Sequence, residues 1–174
     1  VQHQTAPGIT CPGTATVAAG ANCTATLASY TAAATATDNC TTPTKTQSPA
    51  VGATITGTQV VTLTATDAAN NSGTCSFTVT VVDQTAPGIT CPANATVAAA
   101  VNCTATLASY TAAATATDNC TTPTKTQSPA AGATISGTQV VTLTATDGAG
   151  NSANCSFTVT VVDQTAPGIT CPAN

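Results

Sequence analysis

Charge and aromatic bulk are the scarcest things in this chain. Its 174 residues include no arginine, glutamate, tryptophan or methionine, two lysines, one histidine and two each of tyrosine and phenylalanine. With no basic patch there is nothing to neutralise phosphates, so no nucleic acid is expected as a partner. Without glutamate, and with His3 alone near the chain start, the sequence holds no paired-carboxylate set and no Ser–His–Asp set, so it does not read as an enzyme. It has no C-x-x-C spacing, which leaves redox and zinc chemistry with little support. No apolar run is long enough to span a bilayer. No signal peptide is visible, as expected of mature material or an internal piece.

What the chain does have is threonine, alanine, nine cysteines and a repeat. The stretch Val81 to Pro92 returns unchanged as Val161 to Pro172, and a variant of it opens the chain before Thr5 to Pro12. The period is 80 residues, and units 5–84 and 85–164 differ at only ten positions. The reading is two domains, 1–83 and 84–163, with 164–174 as the start of a third repeat or a polymer-joining segment. Each full unit carries a single Tyr and a single Phe, so its core is thin and needs staples. The cysteine density points to an oxidising, extracellular or cell-surface setting.

Alternation of apolar and hydroxyl residues predicts strands. Val61, Leu63 and Ala65 share one face, with Thr62, Thr64 and Thr66 on the other. Phe77, Val79 and Val81 face inward, with Thr78 and Thr80 outward. Ile9–Cys11 and Ala15–Val17 read as one broken strand, Cys23–Tyr30 as a full strand, and 44–47 and 53–55 as short ones. The Ala-rich 31–37 is not read as a helix, because its threonines are β-branched and no charged face exists. About seven strands joined by turns give an all-β chain of tandem immunoglobulin-like or fibronectin-III-like β-sandwich repeats.

The residues Thr-Ala-Pro-x-Ile-Thr-Cys-Pro at 85–92, Thr-Asp-Asn at 117–119 and Ser-Pro at 128–129 form a recognisable set. With them stand Gly132, the run from Gly137 to Asp147, Gly148 to Asn151, and Cys155 to Val159. Together they resemble the HYR (hyalin repeat) family across both units. In unit one Asn70 stands where the family has Gly; asparagine tolerates left-handed backbone, so the turn is expected to survive. The resemblance implies a sandwich fold and an extracellular module used in adhesion or surface structure. The family often keeps only the first and last cysteine, which implies the pairs Cys11–Cys75 and Cys91–Cys155. The remainder gives Cys23–Cys40 and Cys103–Cys120, with Cys171 awaiting a partner in a third unit. A rival pairing joins Cys23 to Cys91 across the joint, and sequence alone leaves the choice open.

All six acids are aspartates at three equivalent places: 38/118, 67/147 and 83/163. In a sandwich the loops holding Asp118 and Asp147 lie at one end, and the joint carrying Asp83 leads into that end. Asp83, Asp118 and Asp147 are therefore expected to converge, with Asn119 and Asn151 nearby, as hard oxygen ligands suited to Ca2+. The equivalent set in unit one is Asp38, Asn39, Asp67 and Asn71, with His3 in place of the joint aspartate; Asp163 repeats the joint position. Against this stands the plainer reading that Asp-Asn and Asp-Gly simply build turns. Lys45 and Lys125 read as solvated strand residues, with an intramolecular Lys–Asn amide as the rarer alternative. Asn22, Asn94 and Asn119 begin glycosylation triplets that matter only in a host that uses them.

The expected function is architectural: a fibre, stalk or surface filament stiffened by disulfides and calcium, with head-to-tail self-association through 165–174. The alternative is an adhesin recognising a glycan or protein ligand. A binding module needs an exposed aromatic or a variable loop, and the near-identity of the two units favours architecture.

Overall fold

A computed structural model of the chain describes residues 4–171. The chain divides into two compact units, Val1–Thr85 and Ala86–Asn174. His3, named above as the variant joint residue, lies outside the described residues.

Unit one contains β1 (Gly8–Thr10), β2 (Ala15–Ala18), β3 (Thr24–Thr26), β4 (Thr35–Thr37), β5 (Thr44–Ser48), β6 (Thr54–Thr56), β7 (Thr58–Thr66) and β8 (Ser72–Val82). One sheet has the order β2-β8-β7-β5; the other face is built from the ladders β1-β4 and β3-β6. Unit two repeats this with β9 (Gly88–Thr90), β10 (Ala95–Ala98), β11 (Thr104–Thr106), β12 (Thr115–Thr117), β13 (Thr124–Ser128), β14 (Thr134–Ser136), β15 (Thr138–Thr146) and β16 (Ser152–Val162). Its sheet order is β10-β16-β15-β13, with ladders β12-β9 and β11-β14. Each unit is an immunoglobulin-like sandwich.

The broken first strand serves both faces. β1 pairs antiparallel with β4, and β2 pairs parallel with β8. Proline has no N–H to give a ladder, so Pro12 suits the point where the chain leaves one face for the other.

The core follows from the alternation. Val61, Leu63, Ala65 and Val79 are fully buried, joined by Leu27, Ile55 and Phe77. The matching set in unit two is Val141, Leu143, Ala145, Val159, Leu107, Ile135 and Phe157. Tyr30 meets the Phe77 ring edge-on at 5.0 Å between centroids, and Tyr110 meets Phe157 at 4.9 Å. On the outer face hydroxyls pair across strands: Thr62 Oγ1 with Ser76 Oγ at 2.9 Å, and Thr142 Oγ1 with Ser156 Oγ at 2.9 Å.

The expected strand Cys23–Tyr30 is shorter than its pattern. Its ladder covers only Thr24–Thr26, and residues 27–34 form loop and turns before β4. The reason is that other groups take up the backbone. Leu27 N–H donates to Ala53 O at 2.8 Å, and Tyr30 N–H to the side-chain oxygen of Gln47 at 2.8 Å. Gln47 Nε2 in turn donates to the carbonyls of Ala28 and Pro49. Gln127 does the same for Tyr110, Ala108 and Pro129. Replacing Gln127 with Ala leaves these half-buried backbone groups short of partners, and we expect unit two to lose about 1–3 kcal/mol by denaturant titration. A loss within error would mean that water replaces the amide. The lysines are also spent on backbone: Lys45 Nζ donates to Ala34 O and Lys125 Nζ to Ala114 O.

Candidate metal-binding loops and the cysteines

Both ends of each sandwich are defined by its longest strand. At the hairpin end of unit one, Thr66 pairs with Ser72 across the β7–β8 turn, Thr44 pairs with Thr66, and Thr37 pairs with Gly8. The loops with Asp38 and Asp67 both sit there. At the exit end, Ala19 N–H donates to Val82 O, and Gly20 N–H to Thr24 O, placing the turn before β3 beside the last residue of β8. Unit two has the same arrangement, with Thr124↔Thr146 and Thr117↔Gly88 at one end and Ala99 N–H to Val162 O at the other.

The hairpin loop is an aspartate turn. Asp147 Oδ1 accepts the N–H groups of Ala149 and Asn151 at 2.9 and 2.8 Å, and Asn151 Nδ2 donates to Oδ2 at 2.9 Å. Asp67 makes the same three bonds with Ala69 and Asn71. Both aspartates are buried. Asn70 takes φ 69° where Gly150 takes 93°, so the left-handed turn does survive the Gly-to-Asn change. The neighbouring loop is built likewise: Asp118 Oδ2 accepts the N–H groups of Cys120 and Thr121, and Asp38 Oδ2 those of Cys40 and Thr41. Asp83 and Asp163 each follow directly on a long strand and accept the N–H of the residue two further on, Thr85 and Thr165.

The plain reading of these residues as turn builders therefore holds, and it leaves room for more. In unit two, Asp118 and Asp147 bring carboxylate oxygens within 4.8 Å of each other. Two oxygens bound to one Ca2+ at 2.3–2.6 Å are at most about 5 Å apart, so the pair fits that ion. Asp147 Oδ1 has both acceptor directions in use, while Oδ2 uses one, so this residue has a single oxygen to lend. Asn151 serves the turn through its amide nitrogen, and Asn119 Nδ2 points to Cys120 Sγ at 3.5 Å. A residue the sequence reading missed ties the two loops together: Thr121 Oγ1 accepts Gly148 N–H at 2.8 Å. A Cβ at Gly148 would lie 3.2 Å from the Thr121 side chain. Unit one has Ala68 at that place, and this one-residue difference was the only signal for the contact.

The cysteines depart from expectation. Cys11–Cys75 and Cys91–Cys155 are disulfides with Cα–Cα distances of 5.6 and 5.7 Å. The links Cys23–Cys40 and Cys103–Cys120 are not formed: Cys40 and Cys103 are exposed free thiols, as is Cys171. Cys23 and Cys120 are each disulfide-bonded. The rival Cys23–Cys91 pairing is overturned as well, since Cys91 is taken by Cys155. The reason is distance. Cys23 belongs to the exit end and Cys40 to the hairpin end, separated by the length of the 11-residue β8. At about 3.3 Å per residue that is roughly 35 Å, against the 7 Å limit for Cα atoms in a disulfide.

Among the described residues no helix is long and apolar enough to cross a membrane. No curated protein matches the chain in sequence. Among solved structures it is similar to PcdhgB3 EC1-4 (14% identity, 90% of this chain and 50% of that one, TM-score 0.40) and to Protocadherin Gamma C5 EC1-3 (17%, 90% and 68%, TM-score 0.38). It is also similar to Sidekick-1 immunoglobulin domains 1-4 (14%, 90% and 52%, TM-score 0.29). The chain thus spans about half the length of the PcdhgB3 fragment. The HYR domain family model matches twice, over residues 2–81 and 82–161. Those two matches take in nearly the whole sequence, and the chain belongs to the HYR domain family as a tandem pair of its repeats.

Proposed function

We propose that this chain is an extracellular structural repeat protein of the adhesion type, built to form a fibre, stalk or surface filament. The observation that supports this reading best is the duplication itself. Ten differences in 80 positions leave the same core, the same aspartate turns and the same outer hydroxyl pairs in both units. A surface specialised for one ligand differs from its neighbour; a surface that repeats is suited to stacking. Stacking of such repeats head to tail gives a contact that does not close. Electron microscopy of the purified native material is the test. Filaments with a repeat set by the 80-residue unit are expected, and dispersed monomers overturn the reading.

Calcium is the proposed stiffener. Asp118 and Asp147 supply two oxygens, and Asp83, at the end of β8 where the joint begins, supplies a third. Extracellular modules of this chemistry bind Ca2+ with a Kd of about 0.1–1 mM. At tenfold that concentration the ion adds about 1.4 kcal/mol, and more at higher excess. Calorimetric titration should show binding that Asp83→Ala weakens while each unit stays folded, since Asp83 lies outside both cores. Equal binding by wild type and Asp83→Ala removes Asp83 from the site. No binding by wild type at millimolar Ca2+ leaves the aspartates as turn builders alone.

A further inference from the structure

We infer that Asn94 carries an N-linked glycan, attached at the one acceptor triplet whose amide and hydroxyl the fold leaves open. The inference rests on neither the fibre nor the calcium site.

An N-linked acceptor is an asparagine, any residue but proline, then a serine or threonine. Seven such triplets occur in the chain. In six of them the amide, the hydroxyl or the turn around them is committed to the fold. Thr24 Oγ1 donates to Ala21 O at 2.9 Å and Thr104 Oγ1 to Val101 O at 3.1 Å, so the hydroxyls that follow Asn22 and Asn102 serve their own turns. Asn119 Nδ2 points to Cys120 Sγ, and Thr121 Oγ1 holds Gly148 N–H. Ser156 Oγ, the hydroxyl that follows Asn154, pairs with Thr142 Oγ1 at 2.9 Å. Asn39 stands inside the Asp38 turn, whose carboxylate holds the N–H groups of Cys40 and Thr41. Asn70 sits in the Asp67 turn with φ 69°, and its N–H donates to Asp67 O.

The triplet Asn94-Ala95-Thr96 differs. Asn94 and Thr96 are both exposed, and they open the strand β10, which ends its sheet and has β16 on one side only. Asn94 Oδ1 accepts the N–H of Thr158 at 2.9 Å, which fixes the plane of the amide. Among the described residues neither Asn94 Nδ2 nor Thr96 Oγ1 has a hydrogen-bond partner. Glycosylation alters Nδ2 alone, which keeps one N–H, so Oδ1 goes on accepting from Thr158. Unit one has Thr14 at this place, and the acceptor belongs to unit two.

The donor class is an oligosaccharide joined through a pyrophosphate to a membrane lipid. Nδ2 forms a bond to the anomeric carbon of the first sugar, and the bond from that carbon to the pyrophosphate oxygen breaks. The lipid pyrophosphate leaves with the electron pair, and a proton from Nδ2 passes to a base of the transferase. Nothing is oxidised or reduced. The place also suits a bulky group. β10 has no charge and no proline, and an open sheet edge of that kind pairs with other chains unless something blocks it. A hydrated glycan at its start blocks it.

The test maps peptides from native material after treatment with a peptide-N-glycanase in heavy-oxygen water, which turns each glycosylated asparagine into a labelled aspartate. Label at Asn94 above that at each of the other six acceptors is expected. No label at Asn94, or equal label across all seven, overturns the inference. Two variants of the full chain, secreted from a eukaryotic cell line, check the geometry. Thr96→Ala should lose the glycan with its unfolding midpoint unchanged, and a glycan that persists overturns the assignment. Thr14→Asn should gain a glycan in unit one, because Thr16 is exposed on the matching edge strand β2. No gain there overturns the claim that an open edge triplet is what selects the site.

Discussion

Reducing the chain lowers its thermal unfolding midpoint by about 20 °C or more, the largest effect expected of any single treatment. Cys11–Cys75 and Cys91–Cys155 each close 64 residues. Loop-closure entropy for that length gives about 4 kcal/mol per bond. An 80-residue unit at 0.05–0.15 kcal/mol per residue has only about 4–12 kcal/mol in total. These units belong at the low end, because each buries one phenylalanine and a few aliphatic side chains of leucine size or smaller. One disulfide is then a third or more of the stability of its unit. Differential scanning calorimetry with and without a phosphine reductant measures the shift. A midpoint that moves by only a few degrees would falsify the claim that these bonds, rather than the core, hold the fold. Replacing Cys11 and Cys75 together by alanine should destabilise unit one selectively and split the transition in two.

Phe157→Ala is the substitution with the next largest expected effect, a loss of about 3–5 kcal/mol in unit two. The ring is 5% exposed, sits among Leu107, Ile135, Val141, Leu143 and Val159, and receives the edge contact from Tyr110. The unit has no second phenylalanine, no tryptophan and no methionine, so beyond Tyr110, already packed against this ring, no bulky or flexible side chain is at hand to fill the space. The cavity therefore stays open, and the edge-to-face interaction of about 0.5–1.5 kcal/mol is lost as well. Phe157→Leu keeps most of the volume and should cost far less. Chemical denaturation of the two variants decides the matter: equal losses would show that the site collapses and that packing here is loose.

Most of the sandwich was legible in the residues because a strand with one buried face writes its period into the sequence. The alternation from Gln59 to Thr66 and from Phe77 to Val81 named Val61, Leu63, Ala65, Phe77 and Val79, all buried, and Val81, which is only partly so; the equivalent positions of β15 and β16 follow the same pattern. The aspartate turns were legible for a similar reason: an Asp followed four residues later by Asn, with Asn or Gly between, is a local device whose hydrogen bonds stay within the loop. The interruption of the strand after Thr26 was not, because it depends on Gln47 reaching across to Tyr30, a contact between residues distant in sequence.

The cysteines mark the boundary most sharply. Their number, repeat and oxidising setting could be read from the chain alone, and the family pattern implied the 64-residue closures. Which of the remaining five have partners was decided only by the tertiary structure. Sequence separation makes Cys23 and Cys40 near neighbours, yet the chain between them runs the length of the sandwich through β3 and β4 and leaves them at opposite ends. Local composition set what each residue can do. The path of the backbone set which of them meet, because a covalent bond or a shared cation depends on distances of a few ångströms that no periodicity encodes.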